Sequence, residues 1–155
     1  AAFVPGHYVF VAKKEVERIP VFGAAVRACG HIYIDRGDKT RALASLDIAR
    51  KRLEEAAPTV IIFPEGTRSK TGELGLFKKG AFVLAIQTGA SVMPAAIFGS
   101  REVMKKGSFL INPGTVRVHF GEPIQVGGYT MENRARLTHR ARQAVSEIQK
   151  RNETS

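Results

Sequence analysis

Phe63-Pro64-Glu65-Gly66-Thr67-Arg68-Ser69 is the stretch from which the rest of this chain is best read. It completes a β-branched apolar run, Thr59-Val60-Ile61-Ile62-Phe63, set between Pro58 and Pro64, and that run predicts a buried strand. A carboxylate, a glycine, a hydroxyl and a guanidinium then follow within four residues. Such an order suits an open α/β sheet, where ligands collect beyond the carboxyl ends of the strands. Gly66 lets backbone approach a ligand closely, and Arg68 offers a planar fork for a phosphate or carboxylate. Glu65 is placed either to hold that fork or to bind a substrate hydroxyl. The other reading of the same residues is a tight turn with a surface Glu–Arg pair.

Working outward, strands and helices alternate. Upstream, Tyr8 to Ala12 predicts a short strand, Lys14 to Arg27 a helix interrupted near Pro20, and His31 to Asp35 a second strand. A helix capped by Asp38 or Thr40 then runs to about Ala57, with Ala42, Leu46, Ala49 and Leu53 on one face. Downstream, Gly80 to Thr88 is apolar enough for a buried helix, ended by Gly89. Ser91 to Phe98 and Val116 to Phe120 read as strands, and Thr130 to Lys150 as an amphipathic helix with Leu137, Ala141, Ala144 and Ile148 inward. The expected fold is α/β: a single-domain sandwich over residues 1–150, with a mixed, mostly parallel sheet flanked by helices, and a polar tail at 151–155.

Composition bounds the function. With 155 residues the chain is long enough to bury a sizeable core, and 44% hydrophobic with 25% charged residues is ordinary for a globular fold. The net charge of +10 is not ordinary; it points to phosphorylated metabolites, an acidic membrane surface or nucleic acid. The lone cysteine, Cys29, excludes an internal disulfide and reads as a small buried hydrophobe. No apolar run approaches the roughly 18 residues that a membrane span requires. The chain opens at Ala1 inside an element already under way, so the expectation is that residues precede it in the intact protein.

Basic groups gather at the predicted strand ends. Arg36 follows the second strand and Arg68 the third, and were those strands adjacent and parallel the two guanidiniums would share one edge. Lys13, ending the first strand, is placed to join them, and Lys78-Lys79-Gly80 opens a helix whose amide end also favours an anion. No catalytic dyad accompanies them. His31 and Asp35 share a strand face but lie about 13 Å apart at roughly 3.3 Å per residue. His7, His119 and His139 have no acid suitably placed, no Cys/His cluster has a zinc-like spacing, and neither GxxxxGK[ST] nor GxGxxG occurs. Neither a metal nor an organic cofactor is therefore expected.

Taken together, Tyr33-Ile34-Asp35-Arg36, Phe63 to Ser69, and Val92-Met93-Pro94-Ala95-Ala96 resemble three of the four sequence blocks of the 1-acyl-glycerol-3-phosphate acyltransferases. Their order and spacing match. The flanks agree too, in Lys13-Lys14-Glu15, Ile19 to Gly23, Phe77 to Phe82 and Phe120 to Ile124, so the resemblance covers nearly the whole chain. It implies a glycerolphosphate acyltransferase-like fold and transfer of a fatty acyl group from acyl-CoA or acyl carrier protein to the free hydroxyl of lysophosphatidic acid. It also implies that Arg36, Glu65, Gly66, Thr67 and Arg68, with Lys13 nearby, bind the glycerol phosphate, and that Pro94 shapes the acyl-donor side.

One block is missing. The family's first block carries a catalytic His five positions before an Asp. The residues five after His7, His31, His119 and His139 are Ala12, Arg36, Ile124 and Ala144. No catalytic residue is therefore assigned within the chain, and the block is expected just ahead of Ala1, leaving these 155 residues inactive alone. The partners that follow from the resemblance are a lysophospholipid, a thioester donor and an anionic membrane surface on the cytoplasmic side. A non-catalytic phospholipid-binding descendant is the nearer rival. A nucleic-acid-binding domain is the more distant one, since Trp is absent and most Phe sit in apolar runs rather than among Lys and Arg.

Overall fold

The computed structural model describes residues 8–13, 31–34, 48, 50, 51, 55, 59–67, 69, 71–104, 107 and 110–153. The chain divides into two compact units, Ala1–Phe63 and Pro64–Ser155. Predicted helix Lys14–Arg27 lies outside the described residues. Of the helix predicted up to Ala57, the described residues Ile48, Arg50, Lys51 and Glu55 are helical.

The first unit holds a parallel three-stranded sheet, with strand β1 (Tyr8–Lys13) between β2 (Ile32–Ile34) and β3 (Thr59–Ile61). The β-branched and aromatic content of all three suits a pleated surface. β1 is divided lengthwise between its neighbours. Tyr8, Val9 and Phe10 pair with Thr59, Val60 and Ile61, whereas Val11, Ala12 and Lys13 pair with Ile32, Tyr33 and Ile34. The condition set for Arg36 and Arg68 is met only in part: the second and third predicted strands are parallel but not adjacent, flanking β1 two strand spacings or about 10 Å apart. All three still run the same way, so their carboxyl ends share an edge. β3 is also shorter than Thr59–Phe63, because Ile62 and Phe63 lead into the turn at Pro64. Phe63 is 56% exposed rather than buried.

His31 has a structural task here. Its Nδ1 accepts a hydrogen bond from the Phe10 amide at 3.2 Å, and the two rings meet edge to face with centroids 5.2 Å apart.

The second unit packs helices against an antiparallel strand pair. Helix α1 (Gly80–Thr88) ends as predicted, Gly89 taking a left-handed φ of 69° that costs glycine little. Strand β4 (Ala95–Phe98) follows, then a single turn of helix, α2 (Ser100–Val103), and β5 (Arg117–Phe120) returns antiparallel to β4. The predicted strand from Ser91 is represented before Ala95 by an isolated bridge between Val92 and Ile124.

Helix α3 (Arg134–Glu153) starts later than predicted and runs through the first three residues of the expected polar tail. Met131, Glu132 and Asn133, just before it, form a turn instead. There the Thr130 amide donates to Asn133 Oδ1 at 2.8 Å, and the Asn133 amide returns to Thr130 Oγ1 at 3.4 Å. This reciprocal pairing closes the entry to the helix much as a capping box does.

The core of this unit lies where α1 and α3 meet. Phe82, Ala85, Ile124, Val126, Leu137 and Ala141 form one buried cluster; Ala96, Val145 and Ile148 form a second beneath β4. Phe77 packs against both and stacks on Phe82 with centroids 6.2 Å apart. All four inward positions predicted on α3 are at least partly buried, with Leu137 at 0% exposure. On β5 only His119 turns partly inward, edge-on to Phe98, while Val118 and Phe120 stay exposed, as does Val116 just ahead of the strand.

Candidate functional site

The chain turns sharply after β3. Pro64 and Glu65 lie in the turn, and Gly66 follows with φ 74°, a left-handed backbone that a β-carbon would strain. The Lys78 amide donates to the Pro64 carbonyl at 2.8 Å, so residues 64–78 form a closed loop with neighbouring ends. Inside it, the Gly72 amide donates to Ser69 Oγ at 2.9 Å, and Glu65 Oε2 accepts the Gly75 amide at 2.7 Å. That last contact is short and has a carboxylate as acceptor, which strengthens it over a neutral pair and fixes its direction. A β-carbon on Gly75 would come within 2.8 Å of Glu65 Oε2, so a larger residue there shifts the carboxylate.

Two guanidiniums hold the loop from outside. Arg101, on α2, donates through Nη1 to the Thr71 carbonyl at 2.6 Å. Arg142, on α3, donates through Nη2 to the Leu74 carbonyl and through Nε to the Gly75 carbonyl, both at 2.9 Å. The planar fork of arginine suits two such neighbouring acceptors. Part of the chain's basic excess is therefore spent on its own backbone.

Among the residues predicted to bind phosphate, Glu65, Gly66 and Thr67 sit together in this turn. Lys13 closes β1 level with Ile34, which puts its backbone at the carboxyl edge of the parallel sheet. Arg36 and Arg68, with the side chain of Lys13, lie outside the described residues. Pro94 is buried just ahead of β4, and its carbonyl accepts the Gly121 amide at 2.9 Å. His139 is exposed on α3, His7 lies outside the described residues, and His31 and His119 are engaged as described above. Among the described residues no group of three or more His, Cys, Asp or Glu side chains is arranged to hold a metal.

Sequence reasoning missed Gly75, Arg101 and Arg142. For Arg142 a signal existed. It falls four residues after Thr138 and three before Val145, both buried, so it stands on the inward stripe of α3 where a charged residue calls for a partner.

The acyltransferase family model matches residues 1–98, which include both the parallel strands and the Glu65 turn. This chain belongs to the acyltransferase family. Among its relatives, the 1-acyl-sn-glycerol-3-phosphate acyltransferase of Cocos nucifera is 34% identical over 129 residues, 83% of this chain and 42% of that protein. The chloroplastic protein of the same name from Arabidopsis thaliana is 39% identical over 118 residues, 76% of this chain and 33% of the relative. The Haemophilus influenzae counterpart is 33% identical over 125 residues, covering 81% and 51%. The crystal structure of the 1-acyl-sn-glycerophosphate (LPA) acyltransferase PlsC from Thermotoga maritima superposes with a TM-score of 0.71 at 28% identity. That match covers 93% of this chain and 58% of the other. The acyltransferase chain thus has a PlsC-like α/β fold and spans about a third to a half of the length of these three curated relatives.

Proposed function

We propose that the protein carrying this chain transfers a fatty acyl group from acyl-CoA or acyl carrier protein to the free hydroxyl of 1-acyl-glycerol-3-phosphate, producing phosphatidic acid. The observation that carries this reading is the Glu65-Gly66-Thr67 turn at the carboxyl end of a parallel strand, in a chain of the acyltransferase family. In the reaction the acceptor hydroxyl oxygen attacks the thioester carbonyl carbon. The C–S bond then breaks, and the hydroxyl proton ends on the departing thiol.

Arg36 and Arg68, with Lys13, are assigned to binding the glycerol phosphate, as are Glu65, Gly66 and Thr67. Glu65 is held for that part: a carboxylate has about four acceptor sites, and the Gly75 amide uses one. Pro94 shapes the acyl-donor side. No residue of this chain is assigned as the proton acceptor for the attacking hydroxyl. The reaction uses the thioester as co-substrate and no further cofactor.

The acceptor is a bilayer lipid, so this chain works at the cytoplasmic face of a membrane, where its charge of +10 draws it to anionic lipid. Among the described residues no helix is long and apolar enough to cross a membrane. Leu76, 83% exposed in the loop beyond Glu65, adds an apolar contact.

Kinetics of Arg36→Ala and Arg68→Ala in the full-length protein test the assignment. Losing charge-assisted phosphate contacts of about 1.5–3 kcal/mol lowers kcat/KM for the acceptor roughly ten- to a hundredfold, with KM raised and kcat lowered together. Unchanged kinetics in both variants overturn it. Acceptor binding without any acyl transfer would instead mark a phospholipid-binding protein.

A further inference from the structure

We infer that Arg142, remote in sequence and on the last helix, is a positioning residue for Glu65, acting through the Leu74–Gly75 peptide. The inference rests on the acceptor-binding reading of the Glu65 turn and adds to it a residue that lies outside every motif block of the sequence. Arg142 Nη2 donates to the Leu74 carbonyl, and the amide of that same peptide unit, Gly75 N–H, donates to Glu65 Oε2. In a trans peptide C=O and N–H point in opposite directions. A guanidinium that fixes the carbonyl therefore aims the amide at the carboxylate. It also withdraws electron density through the peptide, which makes the N–H a stronger donor. Arg142 Nε, on the Gly75 carbonyl, fixes the next peptide plane as well.

The two ends of this relay differ in what secures them. Arg142 stands on α3 beside Ala141 and Val145, both buried, so its base is set by the apolar core. Glu65 sits in a turn outside helix and strand, and among the described contacts the Gly75 amide is the one that holds its carboxylate. A β-carbon on Gly75 would press on Glu65 Oε2 and displace that carboxylate from its present line. Arg142→Ala and Gly75→Ala disturb the same contact from opposite sides of one peptide.

The test is steady-state kinetics of the full-length protein with acceptor and thioester donor varied separately, beside thermal unfolding. Arg142→Ala and Gly75→Ala each raise the acceptor KM by about three- to tenfold and leave the donor KM unchanged. The double variant is no worse than the more affected single one, because the two act on one contact. Arg142→Lys recovers part of the loss, having one ammonium in place of a fork. Arg140→Ala, whose guanidinium reaches only the Tyr129 hydroxyl at 3.4 Å among described contacts, leaves both KM values as they were. A fall in melting temperature with both KM values unchanged in Arg142→Ala means a structural role only and overturns the inference. If that variant yields too little folded protein, an unchanged acceptor KM in Gly75→Ala overturns it alone. Glu65→Gln separates the two levels. If it leaves the acceptor KM unaltered, the acceptor-binding reading fails; if it raises that KM while Arg142→Ala and Gly75→Ala do not, only the positioning role fails.

Discussion

The α1–α3 core and the 64–78 loop are neighbours in sequence and opposites in construction. Between the helices, Phe82, Leu137 and Ala141 are buried side by side, and what holds them is apolar area removed from water. The described residues of the loop form neither helix nor strand, and Leu76 is exposed. The loop's shape comes from directed hydrogen bonds: Glu65 to the Gly75 amide, Ser69 to the Gly72 amide, and Arg101 and Arg142 to three carbonyls. Apolar packing is non-directional and cumulative, so it secures the fold. Hydrogen bonds on an exposed loop add little net stability, because water competes for each group, but they fix orientation. Damage to the core should therefore appear as lost folded protein, and damage to the loop as altered kinetics.

The largest effect expected on stability is at Leu137, which is fully buried between α1 and α3. Leu137→Ala removes its contacts and leaves a cavity, at a cost of about 2–5 kcal/mol. The measurement is the urea midpoint at unchanged slope. A loss below about 1 kcal/mol would mean that the site collapses freely, and the contrast would break on its core side.

Gly99 is the joint between the two regions. It has φ 78°, a β-carbon there would overlap the Thr115 carbonyl, and it caps α2, from which Arg101 reaches the loop. Gly99→Ala must move backbone on one side or the other, costing about 2 kcal/mol or more. The same variant should weaken the hold of Arg101 on Thr71, making it a stability defect with a kinetic component. A stability loss with wild-type acceptor KM would place the joint wholly in the core.

The difference in construction also explains what could be read in the sequence. Helix α1 was legible to the residue because its apolar run, Gly80 start and Gly89 stop all act locally. The inward face of α3 followed from period alone, and the Glu65 turn from its strand, glycine and charged residues. Strand order was not legible. Three short parallel strands carry similar apolar patterns, and nothing within β2 or β3 shows that β1 will lie between them. Alternation at Val116, Val118 and Phe120 revealed a strand but not that this apolar row would face outward, with His119 on the inner side. The Arg142–Gly75 link was the least accessible. It joins residues 67 apart, and its acceptor is a backbone carbonyl, which every residue possesses and no residue type announces.

The smallest effect sharpens the comparison most. Ser69 Oγ accepts the Gly72 amide at 2.9 Å across an exposed turn between the Glu65 block and the Arg101 anchor. Ser69→Ala deletes the acceptor, yet water can reach the Gly72 amide, so no buried donor is stranded. The cost should stay within about 0.5 kcal/mol, below the usual net worth of a hydrogen bond. Urea unfolding of Ser69→Ala and Leu137→Ala side by side then separates the regions by several-fold in free energy. If Ser69→Ala costs as much as about 2 kcal/mol, the loop carries fold stability of its own. Its hydrogen bonds would then be cooperative with the core, and a kinetic change in any loop variant would have to be corrected for lost native protein before it could be assigned to positioning.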